Sequence, residues 1–233
     1  MKVFLIATLV TLSAAAQPRA AAQAPRTAKA SAPVDMTGYW VAFVTEDWRF
    51  RMVTPRKGDY QGVPMNEQAR KIADAWNPAA DEAAGDQCKA YGAGAFMRLA
   101  SRFHITWQDD NTLQIDSDSG TQTRLLHFNS PPSPPGERTW QGYSTAQWQR
   151  AALKIETHNL RPGYLRKNGV PYSENAVVTE YLDVAPLPGG GQLMLVTAIV
   201  DDPQFLRQPF IVSSQFKKEA DGSKWDPTPC TAR

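Results

Sequence analysis

Hydrophobic and polar residues alternate over short stretches through most of the chain, and turn residues separate the stretches, the pattern of half-buried β-strands. Gly38 to Val44 and Trp48 to Val53 form the first predicted pair, with Glu46-Asp47 between them. In the second segment Arg49 and Arg51 alternate with Trp48, Phe50 and Met52, which predicts one basic and one apolar face. Arg102 to Trp107 sets Phe103, Ile105 and Trp107 against His104 and Thr106. Asp109-Asp110-Asn111 then turns the chain into Thr112 to Asp116, and Asp118-Ser119-Gly120 into Thr121 to Phe128, which predicts a three-stranded meander.

Further strands are predicted at Trp140 to Trp148, Leu153 to Thr157, Ala176 to Leu182, Gln192 to Val200 and Phe210 to Lys217. Turns fall at Lys167-Asn168-Gly169, Pro186 to Gly191 and Asp201-Asp202-Pro203, and the proline-rich run Asn129 to Gly136 reads as a surface loop. The only strong helical spacing is at Asn66 to Trp76, where Asn66 caps, Ala69, Ile72, Ala73 and Trp76 share a face, and Asn77-Pro78 stops the helix. Some nine or ten strands exceed what one flat sheet carries, so the expected fold is mainly β. An antiparallel lipocalin-like barrel is favoured over a barrel-like sandwich, with one short N-terminal helix outside it.

Ahead of this domain, Lys2 precedes an apolar run from Val3 to Ala16 and several small-x-small cleavage options, which reads as an export signal over 1–24. The run is shorter than the ~20 residues of a bilayer span, and no later segment is long and apolar enough, so no integral membrane segment is expected in the mature chain. Residues 25–34, rich in Ala, Pro, Arg, Lys and Ser, are expected to be a flexible tether to a single domain over 35–233. Removing 1–24 also removes Lys2 and Arg19, so the 25 basic residues fall to match the 23 acidic ones. No Lys/Arg block remains, and a nucleic-acid partner is not expected. The location implied is periplasmic or secreted, and Cys88 and Cys230 are expected to pair there as a disulfide.

Gly38-x-Trp40 resembles the Gly-x-Trp that opens lipocalins, whose barrels enclose small apolar ligands. Thr45-Glu46-Asp47 stands where those proteins carry an interior Thr-Asp-Tyr, and no late Arg is assigned as a partner for Trp40. Trp140-x-Gly142-Tyr143-Ser144-x-x-x-Trp148, Leu153-x-Ile155-x-Thr157, the run Asn168 to Glu174, and Glu180 are similar to a group of uncharacterised exported bacterial proteins. That group has His where Tyr143 stands and a Gly-Asp-Thr turn where Gln149 to Ala152 stand. The resemblance implies an exported β-rich domain and carries no activity with it.

Candidate chemistry is sparse. Gly142-x-Ser144-x-Ala146 has the letters of a nucleophile elbow without the strand-turn-helix setting. His104, His127 and His158 match no metal spacing, and the two acidic turns match no calcium loop, so no metal or cofactor is expected. A polar cluster at the barrel mouth, drawn from Arg49, Arg51, Arg102, His104, Arg124, Glu180 and Tyr181 with Trp107 beside it, is the candidate ligand site. Arginine paired with glutamate there could orient an acidic or hydroxylated ligand. The expected function is binding of a small apolar or amphipathic molecule in the barrel cavity. Two alternatives stand beside it: an enzyme using His104 and Glu180 as an acid/base pair, and an envelope interaction protein with a filled core.

Overall fold

A computed structural model describes residues 26–131 and 136–233, so the export signal read at 1–24 lies outside the described residues. Nine strands close into a barrel: β1 (Gly38–Ala42), β2 (Arg102–Trp107), β3 (Thr112–Ser117), β5 (Gln122–Phe128), β6 (Tyr143–Gln149), β7 (Ala152–His158), β10 (Val177–Pro186), β11 (Gln192–Asp201) and β12 (Phe210–Lys218). Around the wall they run β1-β12-β11-β10-β7-β6-β5-β3-β2, and β1 pairs with β2 to close the ring. Minor strands complete the set: β4 (Ser119–Gly120) pairs with β13 (Thr228–Pro229), and β8 (Gly163–Arg166) with β9 (Val170–Tyr172).

Every junction in the barrel is antiparallel except β5–β6, which is parallel over only three residue pairs, Leu126–Ser144 to Phe128–Ala146. The antiparallel reading is thus corrected at one place. The proline-rich stretch lies in that connection, which brings the chain back to the end from which β5 started.

Alternation along the strands fills the lumen. Trp40, Phe103, Ile105, Ile115, Leu126, Ile155, Leu182, Met194 and Phe216 all point inward and are fully buried. Trp107, Phe128 and Trp148 close one end, with ring centroids 5.5 and 5.7 Å apart. Phe96, on the short buried helix α4 (Ala93–Phe96), enters near the other end and stacks on Phe103 at 4.9 Å. Trp40 donates its indole N–H to the Met36 carbonyl at 2.9 Å, and the cation over its ring is Lys218, at 5.3 Å.

The N-terminal segments depart most from expectation. Trp48 to Val53 is not a strand: Trp48–Arg51 is a one-turn helix, α1, with no fully buried apolar residue, although the Arg51 side chain is covered. Six residues cannot distinguish a period of two from a single helical turn, and here ion pairing of the arginines, not an apolar face, fixes the segment. Helix α2 (Glu67–Asp74) forms as expected, with the Asn66 side chain accepting from the Ala69 amide at 2.9 Å. Asn77-Pro78, read as its stop, starts another helix, α3 (Pro78–Ala83): Asn77 caps and Pro78 takes a first-turn position, where its missing N–H costs nothing. The expected tether is pinned from Ala28 onward, where the Ala28 amide donates to Asn111 Oδ1 at 3.0 Å and its carbonyl accepts from Trp148 Nε1 at 3.3 Å.

A disulfide joins Cys88 to Cys230 across 142 residues. Replacing both cysteines by alanine is expected to lower unfolding free energy by about 2 to 5 kcal/mol, because a long loop is released in the unfolded chain. Denaturant titration of the double variant measures it; an unchanged midpoint would show that the bridge constrains nothing.

Candidate functional site

The residues expected to converge at the barrel mouth lie in four separate places. Arg124 and Glu180 point into the lumen and are completely buried. Trp107 belongs to the aromatic closure of the opposite end. Arg102, His104 and Tyr181 alternate to the outer face: Arg102 pairs with Glu219 at 3.0 Å, and His104 stacks on Tyr39 at 4.1 Å. Arg49 and Arg51 sit on α1, outside the barrel. His104 and Glu180 therefore face opposite sides of the wall and cannot exchange a proton. Catalysis by that pair is withdrawn on this geometry.

The luminal group is self-contained. Arg124 donates from Nη1 to Glu180 Oε1 at 3.1 Å and from Nη2 to Glu180 Oε2, a bidentate pair. Its Nε donates to Ser144 Oγ at 3.1 Å and its Nη2 also to Thr157 Oγ1 at 2.7 Å, while the two hydroxyls share a 2.8 Å bond. Phe96 covers the guanidinium face at 5.9 Å. With both carboxylate oxygens and the hydroxyls engaged, this network offers nothing to a ligand. It also places Ser144 as an acceptor for arginine, with no base to activate it as a nucleophile.

A second cluster is built differently. Arg51, Arg98 and Arg166 converge beside α1, and their side chains are 0, 6 and 2% exposed. Two carboxylates face them. Glu46 pairs with Arg51, and Asp47 accepts from Arg98 Nη2 at 2.7 Å with Arg166 Nη2 at 3.8 Å. Asp47 adopts the left-handed conformation, φ 53°, which an aspartate tolerates better than most side chains and which turns its carboxylate toward both arginines. Carbonyls take part of the remaining capacity: Arg51 Nε donates to Arg98 O at 2.9 Å, and Arg166 Nη1 to Gln61 O at 2.7 Å. Phe50 stacks under Arg166, 3.9 Å from its guanidinium carbon.

Three cations thus meet two carboxylates, and two buried donors, Arg51 Nη2 and Arg166 Nε, find no acceptor in the protein. Burial, opposed mainly by Glu46, pushes the Arg51 guanidinium down from its ordinary value. Burial and then the Arg98 charge push Arg166 down to about 10, still protonated at neutral pH. All three arginines border a cavity of about 220 Å³ together with Phe50, Met52, Leu99 and Leu165, their side chains almost wholly covered at its wall. Arg98 and Arg166 went unnoticed in the sequence. Arg98 carried a signal, a lone charge inside the apolar run Phe96-Met97-Arg98-Leu99-Ala100, whereas Arg166, followed by Lys167, carried none.

A third feature, an outer cleft of about 550 Å³ across β5 to β7, collects His127 and His158 with Glu156 and Lys154. His158 Nε2 and Glu156 Oε1 are 2.8 Å apart, and this contact holds the Glu156 carboxyl below its usual value. His127 stacks on Tyr143 at 4.7 Å, and burial pushes its imidazole below its ordinary value. Among the described residues no group of His, Cys, Asp and Glu is arranged to hold a metal ion.

Comparison of the chain with protein-family models, curated proteins and solved structures finds no match. The functional reading therefore rests on the three sites themselves. Of these, the arginine cavity alone leaves buried charge uncompensated.

The contrast between the luminal pair and the cavity can be tested. Arg124→Met strands Glu180 in the lumen and is expected to destabilise the protein by about 3 to 5 kcal/mol. The double variant Arg124→Met/Glu180→Leu is expected to recover most of that loss, since no unpaired charge remains. Chemical denaturation of both variants decides it, and a double variant as unstable as the single one would refute a purely structural role.

Proposed function

We propose that this is an exported binding protein for a small amphipathic acid, held in the arginine cavity beside the barrel and not in its lumen. The observation that carries the reading is the pair of buried guanidinium donors without an acceptor, set among three arginines and only two carboxylates. Burying charge without a partner is costly, and an incoming carboxylate or phosphate would supply both the missing charge and the missing acceptors. The planar donor array of arginine suits such planar or tetrahedral anions better than a lysine would.

The apolar share of the lining gives the ligand its second property. Phe50, Met52, Leu99 and Leu165 border the same space, so a short hydrocarbon attached to the acid would be covered as its head is bound. Export is supported by the signal-like N-terminus and by the disulfide, which suits an oxidising compartment. No helix among the described residues is long and apolar enough to cross a membrane.

Titration calorimetry with hexanoate, hexyl phosphate and hexanol tests the proposal. Both acids are expected to bind and the alcohol is not, and added salt is expected to weaken the acids only partly because the arginines are buried. Arg51→Gln removes one cation and should weaken the acids by about tenfold to a hundredfold, the range expected for a lost charge-assisted hydrogen bond. Should that variant misfold, Met52→Glu places a repelling charge at an exposed position on the rim and should weaken binding in the same direction. Equal binding of acids and alcohol, or no binding of either acid, would refute the reading.

A further inference from the structure

We infer that the acid recognised by the arginine cavity is the phosphate of an anionic phospholipid, and that the α1 face is where the protein docks on a bilayer surface; this rests on the anion-binding reading of the same cavity.

The rim of the cavity is apolar in a way that barrel packing does not require. Trp48, Met52 and Val53, on and just after α1, are 65, 58 and 61% exposed. Phe43 lies beside them in the chain, and its amide donates to Gln215 O at 2.7 Å, which sets it against β12. Ile211 on β12 borders a cleft shared with Glu46, Phe50 and Arg166, and Leu195 on β11 pairs in register with Gln215. Six of the seven large apolar side chains exposed among the described residues therefore lie on or next to this one face. Single exposed apolar residues need no explanation, whereas such a concentration marks an interaction surface.

Charge names the partner. Arg56 and Lys57 are exposed on the same stretch of chain, outside the buried arginines, and Arg49 beside them is exposed and paired with Asp59. A face that combines exposed tryptophan and aliphatic side chains with a basic surround has the make-up of a segment lying at the boundary between headgroups and acyl chains of an anionic membrane. The cavity's size fits the same occupant. At about 220 Å³ it has the volume of roughly seven waters, enough for a phosphate and a short stem but not for an acyl chain. A lipid phosphate entering it would leave its chains at the rim, against Trp48, Met52 and Val53. A soluble acid accounts for the arginines but leaves the exposed apolar rim without a role.

Co-sedimentation of the signal-free protein with vesicles of phosphatidylcholine alone, or of phosphatidylcholine mixed with phosphatidylglycerol, tests this. Calorimetry with hexyl phosphate runs in parallel. The protein is expected to pellet with the phosphatidylglycerol vesicles only, and to release in high salt as exposed charges are screened. The variant Phe43→Ser/Trp48→Ser/Ile211→Ser, altered only at exposed positions that do not border the cavity, is expected to lose vesicle binding by about tenfold or more while hexyl phosphate binding changes little.

Binding of hexyl phosphate without vesicle binding would overturn the membrane inference and leave the acid-binding reading intact. Binding of neither would remove both. Vesicle binding undiminished in the triple variant would overturn the assignment of this face. A dimer seen by sedimentation velocity that dissolves in the triple variant, with no vesicle binding, would show that a second copy covers the face and would also overturn it.

Discussion

The constraint that organises the barrel is that neither partner of one buried ion pair can be left alone. Taking Arg124 and Glu180 out of water costs several kcal/mol per ion, and only near-complete satisfaction of the donors offsets it. That requirement ties four consecutive wall strands together, because Arg124 comes from β5, Ser144 from β6, Thr157 from β7 and Glu180 from β10. It falls where the wall needs it most. The β5–β6 junction is parallel and only three residue pairs long, and the bond from Arg124 to Ser144 crosses that seam from inside. A slip of one residue in β5 would turn Arg124 out of the lumen and leave Glu180 unpaired, so the pair fixes register as well as closure.

Satisfaction also separates structure from site. Both clusters hold arginine out of water, yet in the lumen the single arginine has its carboxylate partner while beside α1 the cations outnumber the carboxylates. The two are mechanically linked. Phe96 caps the luminal guanidinium, and Arg98, two residues further on, enters the cavity and reaches Asp47. The helix that closes the barrel therefore also sets the position of one wall of the binding site.

Much of the barrel was legible in the sequence because alternation over six or more residues reports burial directly. Phe103 and Ile105 against His104 fell on the faces that the pattern required. The same alternation separates the neighbours Glu180 and Tyr181, expected in one cluster, onto opposite faces. What could not be read depends on contacts distant in the chain. The parallel seam at β5–β6 leaves no local trace, and the turn of α1 is decided by Glu46, Asp47 and Asp59 drawing in arginines rather than by any apolar period. The expected cluster of polar residues failed because sequence proximity to a strand says nothing of which face a loop-borne arginine will occupy. Arg51 proved part of a site, but its partners Arg98 and Arg166 come from α4's C-terminal side and from β8.

The disulfide acts on the same cavity. Cys88 lies five residues before α4, and Cys230 follows β13, whose parallel pairing with β4 carries Ser119 to the cavity wall. Tyr91 joins these parts: its hydroxyl accepts from Lys167 Nζ at 2.7 Å and from the Thr231 amide at 3.3 Å, and although burial is the largest single effect, the hydrogen bonds with Lys167 and Thr231 and the Lys167 charge together hold the phenol below its ordinary value. Lys167 itself borders the cavity next to Arg166. The C-terminal tail thus serves as a strap that holds β4, the approach to α4 and the β8–β9 hairpin in one arrangement. Like charges repel, so three buried arginines would spread apart in a loosely held loop. A covalent strap remote from the charges keeps them converged before any anion arrives, and the cost of ordering them is then met in folding rather than in binding.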